Sequence, residues 1–163
     1  MTIASDATAI ILLSKAGVLE LFASRNAVVM AKSVYLEVLK GKEKGRLDAM
    51  LAQRLVQRRR LRVLPVHKPT RSYVEGLLNI KKGELDTVAI AYKNMYAVLT
   101  DDKKCINAAK ALGLPFMNSL DAIVAMWKNK AINSKGAMEC INLLEDFGWY
   151  SKELIKTRKG MIR

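Results

Sequence analysis

The side chains in this sequence that could do chemistry together are carboxylates. Asp6 closes the short half-apolar stretch Thr2 to Ser5, and Glu37 lies about one turn beyond Ala27-Val28-Val29-Met30-Ala31. Glu84 and Asp86 open an apolar helical stretch, and Asp101 and Asp102 close Tyr96 to Thr100. Taken singly, each acid has a plain role, because acids at helix N-termini are favoured by the macrodipole and cap free N–H groups. Glu37 fits that role least: a capping box from Ser33 needs its acid at position 36, which is Leu36. Taken together, the acids fall at successive strand-to-helix junctions, and in a parallel sheet all such junctions share one edge. Carboxylates gathered there repel one another and raise each other's pKa unless a hard cation neutralises them; all-oxygen ligation points to Mg²⁺ or Mn²⁺. A metal-bound water then supplies the attacking hydroxide for phosphodiester hydrolysis, with no histidine base required. On the same charge argument, Asp86→Asn is expected to leave folding intact or improve it.

Other chemistries are poorly supplied. The one histidine, His67, stands in a loop between Pro65 and Pro69 with no nucleophile on a strained turn nearby. Cys105 and Cys140 lack CxxC spacing, lie in apolar helical stretches, and read as buried free thiols of a cytoplasmic protein. No GxxxxGK[ST] phosphate loop is present. Two alternatives stand beside a nuclease. Asp6-Ala7-Thr8 with Asp101-Asp102 resembles the nucleophile and metal acids of haloacid-dehalogenase-like phosphatases, but Thr8 stands where that family has its second Asp. The other alternative is a non-catalytic basic RNA-binding or scaffold module whose acids only cap helices.

The elements that must position these acids alternate between strand and helix patterns. Strands are expected at Thr2 to Ser5, Ala27 to Ala31, Leu61 to Val66, Tyr96 to Thr100 and near Phe116-Met117. Helices are expected over Ala7 to Ala16, Val18 to Ser24, from a Ser33 cap to Gly41-Lys42, Arg46 to Arg60 and Thr70 to Ile80. Leu47, Met50, Leu51 and Leu55 give the fourth of these an apolar stripe. Lys81-Lys82-Gly83 reads as a turn before the helix of Glu84 and Asp86. Later helices follow Asp102, run from a Ser119 cap to Lys130, span about Lys135 to Phe147, and form a basic tail from Ser151. Such alternation implies βαβ units, and hence one α/β domain with a central, mostly parallel sheet covered on both faces.

With Lys and Arg at 28 against Asp and Glu at 15, the net charge of +13 favours polyanionic partners. Hydrophobic content of 51% and charged content of 26% belong to a folded chain, and the longest apolar run, Ala7 to Leu13, is too short to cross a bilayer. No positively charged region precedes that run, so a secretory signal is not expected. The densest cationic cluster is Arg54, Arg58, Arg59, Arg60 and Arg62, a candidate RNA-backbone contact weighed against simple solvation. Lys81, Lys82, Lys103 and Lys104 flank the acids and are better placed to hold a substrate phosphate. The aromatic residues Tyr92, Tyr96, Trp127, Trp149 and Tyr150 read as core or dimer packing rather than base stacking.

These residues resemble the PIN-domain family, the fold of VapC-type toxin ribonucleases and archaeal relatives, over about Thr2 to Val124. The resemblance is carried by the strand ending in Asp6 and by Glu37 in the helix after Ala27-Val28-Val29-Met30-Ala31-Lys32-Ser33. It continues through Gly83-Glu84-x-Asp86-x-x-Ala89-Ile90-Ala91, Leu99-Thr100-Asp101-Asp102, the Ala-rich helix to Leu112-Gly113, and Asn118-Ser119-Leu120. It implies a three-layer α/β/α domain with a sheet of four to five strands, and C-terminal helices from about residue 125 as an addition. It also implies a Mg²⁺- or Mn²⁺-dependent endoribonuclease. Asp6, Glu37, Asp86 and one of Asp101 and Asp102 would hold metal, with Glu84 and Ser119 as helpers. A homodimer and an acidic antitoxin segment laid over the groove are the partners it implies besides RNA.

Overall fold

The computed structural model describes residues 1–80 and 82–162, so the expected phosphate contact at Lys81 lies outside the described residues. Strands β1 (Thr2–Ser5), β2 (Ala27–Ala31), β3 (Leu61–Leu64), β4 (Ala97–Leu99) and β5 (Phe116–Met117) form a sheet in the order β3-β2-β1-β4-β5. Every pairing is parallel, with Ile3 opposite both Val28 and Ala97. The central strands are short runs of small and β-branched residues, and Ile3, Val28, Val29, Met30, Val98 and Leu99 are all buried. Parallel strands covered on both faces take this unbroken apolar composition in place of alternation.

The chain leaves β1 toward β2 and β3, then returns to lay β4 against the other side of β1. Strand order therefore reverses between β1 and β4. A crevice opens at such a switch point, outside the carboxyl ends of the strands, because the helices that follow diverge to opposite sides. Asp6 follows one of these strands and Asp101-Asp102 the other.

The helices are α1 (Ala7–Lys15), α2 (Leu19–Arg25), α3 (Lys32–Leu39), α4 (Leu47–Gln57), α5 (Lys68–Leu77), α6 (Lys82–Asn94), α7 (Lys103–Ala111), α8 (Ser119–Lys128), α9 (Ser134–Phe147) and α10 (Lys152–Met161). Helix α6 packs on β1, β2 and β4 and gathers α5 and α7; α1, α8 and α9 pack together as a second group. The result is the expected three-layer α/β/α arrangement around a five-stranded parallel sheet. No single helix among the described residues is long and apolar enough to cross a membrane. Helices α1 and α2 would pass that test only as a pair, and they are bent by 116° to one another.

Several expected boundaries move for identifiable reasons. Helix α3 begins at Lys32 without a side-chain cap, because the Ser33 hydroxyl is used elsewhere, by Asp86. Helix α4 stops at Gln57, and the chain turns through Arg59 at φ 57° to enter β3. Its buried face is Asp48, Ala49, Ala52 and Leu55, with Leu51 packed beside it; of the expected stripe, Leu47 and Met50 stay exposed, and the small alanines take their place in close approach. Helix α5 starts early because the imidazole of His67 caps it, with Pro69 in its first turn. Lys82 and Gly83 belong to the first turn of α6. Asn118, not Ser119, caps α8, through a reciprocal capping box with Asp121.

Candidate active site

Asp6 is the N-cap of α1, its Oδ1 accepting from the Ala9 N–H at 2.8 Å, while its own N–H donates to the Leu99 carbonyl at 3.1 Å. Its other oxygen accepts from the hydroxyl of Thr100, the residue that follows β4. The side chain is only 4% exposed. Burial pushes its pKa up to about 7, with the Asp101 and Glu84 charges adding to the rise and the Thr100 and Ala9 hydrogen bonds opposing it. Capping and site membership therefore coincide here: the cap geometry is what aims the carboxylate into the crevice.

Asp102 repeats the pattern one strand away. It caps α7 through the Cys105 N–H at 2.9 Å, and its N–H donates to Thr100 Oγ1 at 3.1 Å. The Thr100 hydroxyl thus joins the two N-caps across the switch point. Asp101 differs from its neighbour, since it accepts from the Ser119 N–H at 3.0 Å, from the Ser119 hydroxyl, and from Tyr150 Oη at 2.6 Å. Burial raises its pKa as well, against the pull of those donors. Ser119 is fully buried and is bound to this acid.

Glu37 reaches the same place from α3, and Glu84 from the first turn of α6. Gly83 makes room for this approach, because a Cβ there would come within 3.1 Å of the Glu37 carboxylate. Thr87 Oγ1 donates to the Gly83 carbonyl at 3.0 Å and stands 3.5 Å from the Ser5 carbonyl, tying this turn to the end of β1. Together Asp6, Glu37, Glu84, Asp101 and Asp102 line one cavity of about 410 Å³, with Lys103 and Trp149 on its rim.

Asp86 is the predicted metal ligand that does not line this cavity. It is 5% exposed, accepts from the Ser33 hydroxyl at 2.5 Å, and pairs with Arg71 Nε at 2.7 Å; Arg71 also pairs with Glu75 at 3.0 Å. Its carboxylate clamps α6 to α3 and α5. The expectation that Asp86→Asn relieves crowding therefore gives way to the opposite sign, because the substitution would remove the buried charge that pairs with the half-buried Arg71.

The predicted cations divide in the same manner. Lys103 borders the cavity, whereas Lys82 and Lys104 are exposed and do not line it. Arg58 and Arg59 immediately precede β3 and Arg54 is in the last turn of α4, so they sit at the amino edge of a parallel sheet whose acids are at the carboxyl edge. Arg54 and Arg58 lie 3.9 and 3.8 Å from Glu20, with all three side chains more than half exposed, so these are weak surface pairs.

Two aromatic residues whose spacing favours core or dimer packing over base stacking lie at the site instead. Tyr150 holds Asp101, and Trp149 is fully exposed at the rim. A tryptophan directly after Gly148, beyond the last apolar turn of α9, was the available signal. Trp127 does pack, its indole N–H donating to Ser134 at 3.1 Å.

In an open parallel α/β sheet the crevice at the switch point is where ligands bind, and here it is lined by carboxylates. A PIN-domain family model matches residues 2–159, and the chain belongs to that family. PIN domains are in general nucleases and typically use divalent metals. The match runs beyond residue 124 through α9 and most of α10, the helices that bring Trp149 and Tyr150 to the cavity. Comparison with curated proteins gives no match.

Proposed function

We propose that this chain is a divalent-metal-dependent endoribonuclease that hydrolyses RNA phosphodiesters. The observation that carries the reading is the set of five carboxylates around one cavity in a chain of net charge +13. Only oxygen donors line it besides one lysine, which suits Mg²⁺ or Mn²⁺ rather than a soft metal. Among the described residues no three of His, Cys, Asp and Glu converge into a ready cage. That accords with Mg²⁺ chemistry, in which one or two carboxylates, several waters and the substrate phosphate usually complete the shell.

In this reading Asp6 and Asp102 would hold the ion from the switch point, with Glu37 and Glu84 facing them from α3 and α6. The ion, when bound, lowers the pKa of its water and offsets charge developing on the phosphate. Thr100 fixes the Asp6 carboxylate, and Lys103 receives a non-bridging phosphate oxygen. Asp86 acts at one remove, since its hydrogen bond to Ser33 keeps α3 seated so that Glu37 stays opposite Glu84. Asp6 holds its proton up to about pH 7, so binding of a cation there releases a proton and strengthens as pH rises. The setting that suits this reading is cytoplasmic, as a homodimer, with RNA as substrate and an acidic antitoxin-type segment as restraint.

The test is cleavage of an end-labelled RNA by the purified chain in Mg²⁺, Mn²⁺ and excess EDTA, alongside Asp6→Asn. Metal-dependent fragments that the substitution removes support the proposal. Tight RNA binding without metal-dependent cleavage, or fragments that persist with Asp6→Asn, overturns it in favour of a non-catalytic binding module.

A further inference from the structure

Beside the acid-lined cavity lies a second one of about 190 Å³, and the two share Thr8, Asp101 and Trp149. The second is bordered by Ile11, Leu12 and Phe147, with Lys15 at its edge. Its lining is the more apolar of the two, with Trp149 in open solvent, Phe147 half exposed, and Thr8, Asp101, Tyr150 and Lys15 as its polar groups. Trp149 is held there by its surroundings and not by its own packing. Tyr150 next to it is anchored on Asp101 at 2.6 Å. Gly148 before it is required by space, because a Cβ at that position would lie 2.2 Å from the Tyr150 ring and 2.9 Å from the Leu144 carbonyl. The Phe147 ring already has a partner, Lys15 Nζ at 4.9 Å from its centroid, which leaves the indole of Trp149 as the open aromatic face between the cavities.

We propose that Trp149 and the apolar cavity form a nucleobase subsite, in which an unpaired base of single-stranded RNA stacks on the indole one nucleotide from the phosphate held at the acids. The inference rests on the nuclease reading for the identity of its ligand. A nucleotide joins a charged phosphate to a flat apolar base, and the two adjoining cavities offer both kinds of surface: Lys103 and the acids in one, the indole with Ile11, Leu12 and Lys15 in the other. A base engaged in a duplex presents no free face there, so the subsite selects single strands. A protein partner anchored on Trp149 would need no such pairing of cations with an aromatic.

The test uses Trp127→Phe as background, so that emission reports Trp149, and a short 2′-O-methyl oligoribonucleotide as probe, single-stranded or annealed to its complement. The single strand is expected to quench the emission and the duplex not to. Trp149→Ala should then weaken single-strand affinity about tenfold or more, and Trp149→Phe by a smaller factor, as for other stacking platforms. Equal affinity of Trp149→Ala and its parent, equal quenching by the duplex, or no quenching by either probe overturns the subsite; the first of these is also what a protein-anchoring tryptophan would give. The two readings fail separately. Quenching without metal-dependent cleavage of RNA removes the nuclease and keeps the subsite, and cleavage without quenching does the reverse.

Discussion

The two edges of the sheet carry opposite charges and put them to different use. At the carboxyl edge, Asp6, Asp101 and Asp102 are wholly or partly covered, given fixed hydrogen-bond partners, and turned toward a cavity that Glu37 and Glu84 also line. At the amino edge, Arg54, Arg58 and Arg59 stand in solvent with only loose pairing to Glu20. A strand of four or five residues separates the edges by about 15 Å, farther than a Debye length at physiological salt. A large net charge thus says little about where a substrate's reacting group is held; burial and hydrogen bonding do.

The sharpest way to break this contrast is Asp6→Asn. It should lower cleavage by roughly a thousandfold, in line with the several kcal/mol a metal site supplies, while the melting temperature of the metal-free protein stays the same or rises. A large fall in melting temperature would make Asp6 a structural cap and dissolve the difference between the edges.

The next effect is on stability against pH. The folded state holds the Asp6 proton up to about pH 7, and the unfolded state releases it near 3.8. The stabilising contribution is therefore complete below about pH 3.8 and is lost as pH rises to about 7, by an amount on the order of a few kcal/mol. Metal-free wild type should lose stability relative to Asp6→Asn across that window in urea titrations. Parallel curves would place Asp6 in water.

Asp86→Asn should cost about 1–3 kcal/mol in the same titrations, since it leaves Arg71 and Ser33 short of an acceptor. Cleavage should fall far less than with Asp6→Asn. The reverse outcome, intact stability with lost cleavage, would return Asp86 to the cavity.

The smallest effect belongs to the amino edge. Arg58→Ala with Arg59→Ala should leave cleavage of a short RNA unchanged. For a long RNA it should reduce the log–log salt slope of binding by roughly one to two, if those side chains touch backbone. A loss of short-substrate cleavage would mean the two edges cooperate.

What was legible in the sequence was local. A buried β-branched run followed at once by an acid, as in Leu99-Thr100-Asp101-Asp102, announces a strand-to-helix junction, and parallel topology brings such junctions together. The assignment of partners was not legible. Whether Asp86 or Glu84 meets the cavity depends on where α5 delivers Arg71, a residue that reads as one more surface cation until the helices pack. Asp101 and Asp102 are adjacent and alike in type, yet Ser119 and Tyr150 take one of them while the other caps α7. Ser33 and Ser119 have the propensity of helix caps, but tertiary acceptors claim both hydroxyls.

The bond from Tyr150 to Asp101 spans forty-nine positions of the chain. During synthesis every acid of the cavity leaves the ribosome well before the tyrosine that holds Asp101. The acids of this PIN domain therefore emerge before α9, and Asp101 gains its tyrosine partner only once that helix has followed.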